Sequence, residues 1–402
     1  MNKDLNPEQV SYLLRIIGRF REMFHSEPLL IRSPGRINLI GEHTDYNGGL
    51  VLPAAINKNI YIAIGKRSDN RICLYSEDYA DEFSCMLEVI MRSNKRWPNY
   101  ILGVVEQLVQ DGHALGGFNI VFGGDIPEGA GLSSSAALEC GVAFGLNNLF
   151  RLSLEPIDLV KTAHAAENQF VGVNCGIMDQ FACMMGKKDH VMLLDCQTIE
   201  HQYVPFADDT IRLVLFDTRV KHELVSSEYN ERRRQCERGV DMIARKGLQV
   251  QSLRDVSEEM LAGHVKSVDE LIYQRCSYVV SEIERVQQVC RHLAENGLAE
   301  AGALMFETHA GLKNDYEVSC PELDFLVECV TDHPAVFGAR MMGGGFGGCT
   351  INLVKSEGVN NLIDHVSRLY HEKYGREPET YVVTTCDGIG TVDLETVELI
   401  TT

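Results

Sequence analysis

Residues 123–135 read Gly123-Gly124-Asp125-Ile126-Pro127-Glu128-Gly129-Ala130-Gly131-Leu132-Ser133-Ser134-Ser135. A short strand, Phe118 to Phe122, runs into this stretch. A helix leaves it through Ala136, Ala137, Leu138, Cys140, Val142, Phe144 and Leu149. Strand, glycine-rich loop, hydroxyl run and helix start follow without a break. The unpaired N–H groups of the first helical turn and the positive end of the helix dipole therefore converge on one spot. Glycines let a ligand approach the backbone, and serine hydroxyls can bond phosphate oxygens or ligate Mg²⁺. One serine would be explained by helix capping; three in a row behind Gly129-Ala130-Gly131 exceed that need. The loop is a phosphate cradle, but no G-K-[ST] follows it and the Rossmann G-x-G-x-x-G spacing is absent. H-R-D and D-F-G kinase elements are missing as well, and Asp387-Gly388 lacks their context.

A second dense stretch lies upstream, Gly35-Arg36-Ile37-Asn38-Leu39-Ile40-Gly41-Glu42-His43-Thr44-Asp45-Tyr46-Asn47-Gly48-Gly49. A short apolar run ends at a glycine, and an acid, an imidazole, a hydroxyl, an acid and a phenol follow consecutively. Asn47-Gly48-Gly49 signals a turn, since Asn and Gly tolerate positive φ. Leu50 to Leu52 then reads as a strand closing on Pro53. Polar groups on a loop held by apolar flanks suit a polyhydroxylated ligand. A polar hairpin connection would look the same on this stretch alone.

The chain has 402 residues, 45% of them hydrophobic, which allows a large core and predicts two domains. The formal net charge of -20 argues against nucleic acid as a partner. The start, MNKDLNPEQV, lacks the apolar core of a secretory signal. No apolar run approaches the roughly 18 residues of a membrane span. A soluble, cytoplasmic protein is expected. The 13 cysteines show no C-x-x-C pair or zinc spacing and predict reduced, mostly buried thiols, Cys140, Cys183, Cys290 and Cys329 among them.

The remaining periodicities predict helices over 7–24, 97–110, 226–246, 256–262, 269–296, 299–315, 321–332 and 356–373. Strands are expected at 29–32, 59–65, 72–76, 191–195, 211–217, 349–354 and 380–385. Ser33-Pro34-Gly35 reads as a turn, and 72–76 as the pairing partner of 59–65. A helix opened by Glu155-Pro156 carries Leu159, Ala163, Ala166 and Phe170 on one face. Glu167 stands beside that face near the helix end. The dipole disfavours a carboxylate there and hints at a cationic partner; a solvated glutamate is the plainer account. Asp179 is the one ionisable group in Asn174-Cys175-Gly176-Ile177-Met178-Asp179-Gln180-Phe181, a candidate general base or a simple helix cap. Arg232-Arg233-Arg234 reads as a solvated, ion-paired face. Arg340 to Gly348 is a second glycine-rich loop, packed close to another backbone or a ligand.

Taken together, these stretches resemble the galactokinase family of GHMP small-molecule kinases. SPGRINLIGEHTDYNGGLVLP, PEGAGLSSSAALE and RMMGGGFGGCT carry the match, with CGIMDQF, SSEYNERRRQCE and LKNDYEVSCPELD between them. The resemblance covers nearly the whole chain. It implies a bilobal α/β (α+β) GHMP-kinase fold with its active site in the cleft. An N-terminal mixed-sheet lobe would occupy residues 1–190, and a ferredoxin-like C-terminal lobe residues 191–402. The implied reaction transfers the γ-phosphate of ATP to the anomeric hydroxyl of α-D-galactose, the first committed step of galactose catabolism. By motif, Asp179 and Arg36 would be catalytic. Glu42, His43, Thr44, Asp45, Gly176 and Tyr229 would bind the sugar. Ser76, Gly129, Ala130, Gly131, Leu132, Ser133, Ser134 and Ser135 would bind ATP. Ser135 and Glu167 would hold Mg²⁺. The partners implied are galactose and ATP, with no membrane, nucleic acid or obligate protein partner. A related sugar 1-kinase, acting on N-acetylgalactosamine or arabinose, and a non-catalytic sensor on the same fold are the rival readings. The third motif departs from the family's usual R-M-T-G-G-G, because Met342 stands where threonine is usual; this puts nucleotide affinity and turnover in question.

Overall fold

The computed structural model describes residues 6–127, 129–206, 210–220 and 225–394. Glu128 of the phosphate loop and the side chains of Ser226 and Ser227 lie outside them. The first part of the chain forms α1 (Pro7–Phe24), β1 (Leu29–Asn38), β2 (Leu50–Val51), β3 (Pro53–Lys66), β4 (Arg71–Ser76), β5 (Asp81–Met86), α2 (Arg96–Gln110), β6 (Phe118–Gly124), α3 (Ser134–Phe150), α4 (Pro156–Ala165) and α5 (Met178–Met185). The second forms β7 (His190–Asp195), β8 (His201–Pro205), β9 (Ile211–Asp217), α6 (Val225–Ala244), α7 (Glu258–His264), α8 (Glu270–Ala294), α9 (Leu298–Asn314), α10 (Pro321–Thr331), β10 (Val336–Met341), β11 (Cys349–Lys355), α11 (Val359–Tyr374), β12 (Glu379–Val383) and β13 (Gly390–Val392).

Local chemistry explains the element ends. Asn6 and Gln9 cap α1 reciprocally, Pro7 opens it, and His25 closes it in the left-handed region. Its apolar stripe, Leu13, Ile16, Ile17 and Phe20, is buried against Leu30, Tyr61 and Val121. The main sheet runs β13-β1-β3-β6-β4-β5. Two expectations fail here. Ser33-Pro34-Gly35 does not turn the chain: β1 continues through it, with a register shift between Pro34 and Arg36. A bulge accommodates the missing proline N–H without ending the strand. Nor does β4 pair with β3, because β6 lies between them; β4 runs parallel to β6 and antiparallel to β5. Alternation fixes which face of a strand is buried, not its neighbour. The edge strand β5 escaped notice because its residues alternate between partly and largely exposed.

A second sheet, antiparallel in order β10-β11-β9-β12, is backed by α10 and α11. A small third sheet joins β2 to β7 and β8. Strand pairing does not respect a division at residue 190: β7 pairs with Leu50 and Val51, and β13 pairs with Leu30 to Arg32. All the cysteines are free thiols, but Cys290 and Cys329 are only partly buried. No helix among the described residues is long and apolar enough to cross a membrane.

One contact ties the second sheet to the loop after β1. Arg340, on β10, is fully buried, with a side-chain exposure of 0%. Its guanidinium donates to the carbonyl oxygens of Leu39 at 2.9 Å and Asn38 at 2.5 Å, and to Glu42 Oε1 at 3.0 Å. Gly343 N–H donates to the same Glu42 oxygen at 2.9 Å. Removing the guanidinium leaves Glu42 buried without its cation. Arg340→Ala is expected to cost ~3–5 kcal/mol of stability, read from the urea midpoint. Arg340→Met, which keeps the stem, should recover little of it.

Candidate active site

β1 delivers Arg36 just past the bulge. Gly35 is obligatory there, because a Cβ would lie 2.8 Å from the Leu132 carbonyl oxygen. The Arg36 N–H donates to that same oxygen at 3.2 Å, so the phosphate loop is stitched to the strand. The Arg36 guanidinium is buried and grips Asp179 with two parallel bonds, Nε to Oδ1 at 2.7 Å and Nη2 to Oδ2 at 2.8 Å. A third bond runs from Nη1 to the Gly131 carbonyl at 2.5 Å. Asp179 sits in the first turn of α5, where the helix dipole favours a carboxylate. Ser133, at φ 60°, donates its hydroxyl to Asp179 Oδ2 at 2.5 Å. Strand, phosphate loop and helix thus meet at one carboxylate, and a fork geometry of this kind fixes direction as well as charge.

The loop after β1 forms the other wall. Gly41 and His43 take positive φ, 101° and 65°, and a single turn of 3₁₀ helix follows at Asp45–Asn47. His43 Nδ1 is 2.7 Å from the Tyr46 hydroxyl, which is 2.8 Å from that of Tyr316. The other ring nitrogen, Nε2, is buried with no hydrogen-bond partner among the described residues. Burial pushes the His43 pKa down to about 4, so the ring is neutral near pH 7. Its free nitrogen is an unspent polar group in the cleft wall. Asp45 packs against Gly176 so tightly that a Cβ there would lie 2.0 Å from Oδ2. Burial first, and the Asp179 charge second, raise the Asp45 pKa to about 7. Tyr229, on α6, closes the group, its ring 5.4 Å from His43 and 5.2 Å from Tyr46 between centroids.

Glu167 is not a solvated glutamate. It occupies a π-helical turn, Ala166–Val171, that continues α4, and it is 6% exposed. Gln180 Nε2 donates to its Oε2 at 2.6 Å, and the Cys175 thiol lies 3.4 Å from the same oxygen. Burial and Asp179 raise its pKa. π-turns widen a helix locally and recur at functional sites. Ser135, in the first turn of α3, lines the cleft together with Glu167.

These groups share a cleft of about 540 Å³, lined by Arg36, Glu42, His43, Asp45, Gly129, Ser135, Glu167, Asp179 and Tyr229 among others. Several expected residues stand elsewhere. Thr44 is fully buried, its hydroxyl directed at the Gly41 and Leu50 carbonyls, so it shapes the turn and does not line the cleft. Ser76 is also fully buried at the end of β4, where its hydroxyl accepts from Tyr79 N–H. Ala130 and Leu132 are buried in the core, and Ser133 turns its hydroxyl to Asp179. Gly176 acts from behind Asp45. Arg96, Tyr100 and Asn230 line the cleft and carried no sequence signal beyond the start of α2 near Pro98 and the nearness of Tyr229. Met342 is 1% exposed and packs in the core, so the loss of threonine there adds an apolar contact.

A model of the galactokinase galactose-binding signature matches residues 18–66. Models of the GHMP kinase N-terminal and C-terminal domains match residues 99–187 and 291–372. The chain is 43% identical over 361 residues to the galactokinase of Bacillus subtilis, covering 89% of this chain and 92% of the relative. It is 40% identical over 375 residues to that of Roseiflexus sp., covering 93% and 96%. The crystal structure of Lactococcus lactis galactokinase complexed with galactose superposes with a TM-score of 0.91 at 35% identity, covering 95% of this chain and 100% of that one. Mevalonate kinase of Methanococcus jannaschii, at 19% identity and a TM-score of 0.62, shares the fold alone. The chain belongs to the galactokinase family and is an ATP-dependent sugar kinase of the GHMP fold.

Proposed function

We propose that the protein transfers the γ-phosphoryl group of ATP to the anomeric hydroxyl of α-D-galactose, giving galactose 1-phosphate and ADP. The observation that carries this reading is the Arg36–Asp179 fork, which stands where the phosphate loop meets the loop bearing Glu42, His43 and Asp45. A sugar held by that loop presents a hydroxyl to Asp179, while the helix α3 N-terminus and Gly129 to Ser135 receive the triphosphate.

Phosphoryl transfer has a loose transition state, so positioning and charge compensation do most of the work. Asp179 orients the attacking hydroxyl and accepts its proton as the bond to phosphorus forms. Arg36 holds both Asp179 oxygens and places a buried positive charge beside the transferring group. His43, neutral with Nε2 unpartnered, can accept from or donate to one sugar hydroxyl according to its tautomer. Asp45 and the free oxygen of Glu42 accept from others, and Tyr229 covers the ring.

GHMP kinases act on ATP with a divalent cation. Among the described residues no three His, Cys, Asp or Glu side chains are grouped to cage a metal. Mg²⁺ needs no such cage, since it keeps several waters and takes one or two protein oxygens plus phosphates. The residues fit it: Ser135 and Glu167 offer two oxygens, and the raised Glu167 pKa marks a negative charge that a cation would relieve. Ser135 and Glu167 would hold the ion, which would supply charge neutralisation on the nucleotide phosphates. We assign the site to a cytoplasmic enzyme with galactose and ATP as its partners.

A coupled assay with Mg·ATP and a panel of galactose, glucose, N-acetylgalactosamine and arabinose tests the reading. Galactose binding without turnover on any sugar would overturn it in favour of a sensor. Asp179→Asn is expected to lower kcat by at least ~10³-fold while galactose Kd stays within tenfold; near-normal turnover would remove Asp179 as the base.

Asp45 carries a pH signature. Its folded pKa, about 7, lies above the ordinary carboxyl value of 3.8, so the folded state binds the proton more tightly than the unfolded state. The ionised carboxylate therefore destabilises the ligand-free fold. That penalty is absent below about pH 4 and complete above about pH 7. Asp45→Asn should raise the thermal midpoint of the ligand-free protein at pH 8, with the gain fading towards pH 4, yet raise KM for galactose. Equal gains at both pH values would refute the assignment.

A further inference from the structure

Two buried polar groups lie behind the cleft and have no part in the chemistry above. Glu139 is on α3 one turn beyond Ser135, and its side chain is fully buried. Gln180 follows Asp179 on α5 and is equally buried. Gln180 Nε2 donates to Glu167 Oε2 at 2.6 Å and lies 3.4 Å from Glu139 Oε2. Glu139 Oε1 and Gln180 Oε1 have no hydrogen-bond partner among the described residues. Burying an acid and an amide with unsatisfied oxygens costs free energy that an apolar pair of the same size would avoid. The arrangement weakens the fold, so its use must be sought in what it holds.

What it holds is Glu167. The Gln180 amide nitrogen carries two hydrogens, and Glu139 takes one. That fixes the rotation of the amide and aims the other hydrogen at Glu167 Oε2. The thiol of Cys175 bonds to the same oxygen. Both contacts fall on Oε2, while Glu167 still lines the cleft. Glu167 itself is in the π-turn that continues α4.

We propose that Glu139 and Gln180 are positioning residues, a buried brace that fixes the Glu167 carboxylate where it meets the divalent cation of the metal–nucleotide complex. The proposal rests on Glu167 being a cation ligand. Neither brace residue touches the cleft, and neither contacts sugar. Partners of a metal-ligating carboxylate typically change metal affinity by 10–100-fold when removed. The brace therefore acts on cation binding and leaves sugar binding alone.

The experiment measures Mn²⁺ binding to the full chain by electron paramagnetic resonance, with the non-hydrolysable ATP analogue adenylyl imidodiphosphate present. Galactose Kd and thermal midpoint are measured in parallel. Glu139→Leu and Gln180→Leu are expected to weaken Mn²⁺ binding by about tenfold with galactose Kd unchanged. Glu139→Gln keeps an acceptor for the Gln180 amide and should stay within about twofold of the parent, well short of the loss expected when the brace is cut. The double change Glu139→Leu with Gln180→Leu should leave the midpoint equal or higher, which a merely structural pair would not do. Parent-like Mn²⁺ affinity in both leucine variants, with Glu167→Gln losing it, overturns the brace. Joint loss of metal, galactose and thermal stability in the leucine variants also overturns it. Retained Mn²⁺ affinity in Glu167→Gln overturns the cation-ligand reading instead. If Glu139→Leu does not fold, Gln180→Leu carries the same test.

Discussion

A buried guanidinium whose three nitrogens all donate inside the protein holds this cleft together. Arg340 comes from the second sheet and spends its donors on the carbonyls of Asn38, Leu39 and Met341 and on Glu42. β1 ends at Asn38, whose register partner Pro53 has no N–H, so the Asn38 and Leu39 carbonyls need donors from elsewhere. One side chain supplies them and sets the direction in which the loop departs. The sugar-side residues from Glu42 to Asp45 inherit their positions from that choice. Gly343 N–H, on the loop just beyond β10, seals the same carboxylate from the other side.

Charge crowding is the second constraint. Glu42, Asp45, Glu139, Glu167 and Asp179 lie within one region, while Arg340 and Arg36 are spent on Glu42 and Asp179. Burial and mutual repulsion push Asp45, Glu139 and Glu167 above the usual carboxyl range. Such a site is unfavourable when empty and becomes favourable as a cation and hydroxyl donors enter. The overall charge of -20 makes the same point at longer range. An anionic ligand would need a local positive field, which the helix α3 terminus and Arg36 offer.

Much of this was legible in the sequence, and the reasons differ by residue. The strand–loop–helix around Gly129 to Ser135 was readable because each step leaves a local mark: apolar run, glycines, serines, helical spacing. Asp179 stood out as the lone acid among apolar neighbours. Arg36 and the sugar loop were recognisable by motif. Contacts between distant segments were not legible. Nothing in the spacing of Arg340 announces a partner at Glu42, some 298 positions away. At Thr44 and Ser76 the hydroxyls meet backbone groups, and a hydroxyl looks alike in sequence whether it faces a ligand or the backbone. Glu167 was undervalued for the converse reason: its burial is set by α2 and α3 packing on the π-turn, which periodicity within α4 does not report.

The phosphate loop shows how one segment can serve two masters without compromise. Its backbone and Ser135 remain turned to the cleft, while Ser133 and the Gly131 and Leu132 carbonyls face inward to Asp179 and Arg36. A left-handed residue at Ser133 makes the division possible, since it reverses the side-chain direction just before the helix begins. The strain of that conformation is offset by a hydroxyl donated to the Asp179 carboxylate. Any movement of the loop on nucleotide binding is therefore transmitted directly to Asp179, through bonds of 2.5 Å to 2.8 Å. Asp179 and the loop of residues 129–135 are one mechanical unit, and the loop of residues 42–45 held by Arg340 is the fixed wall against which that unit works.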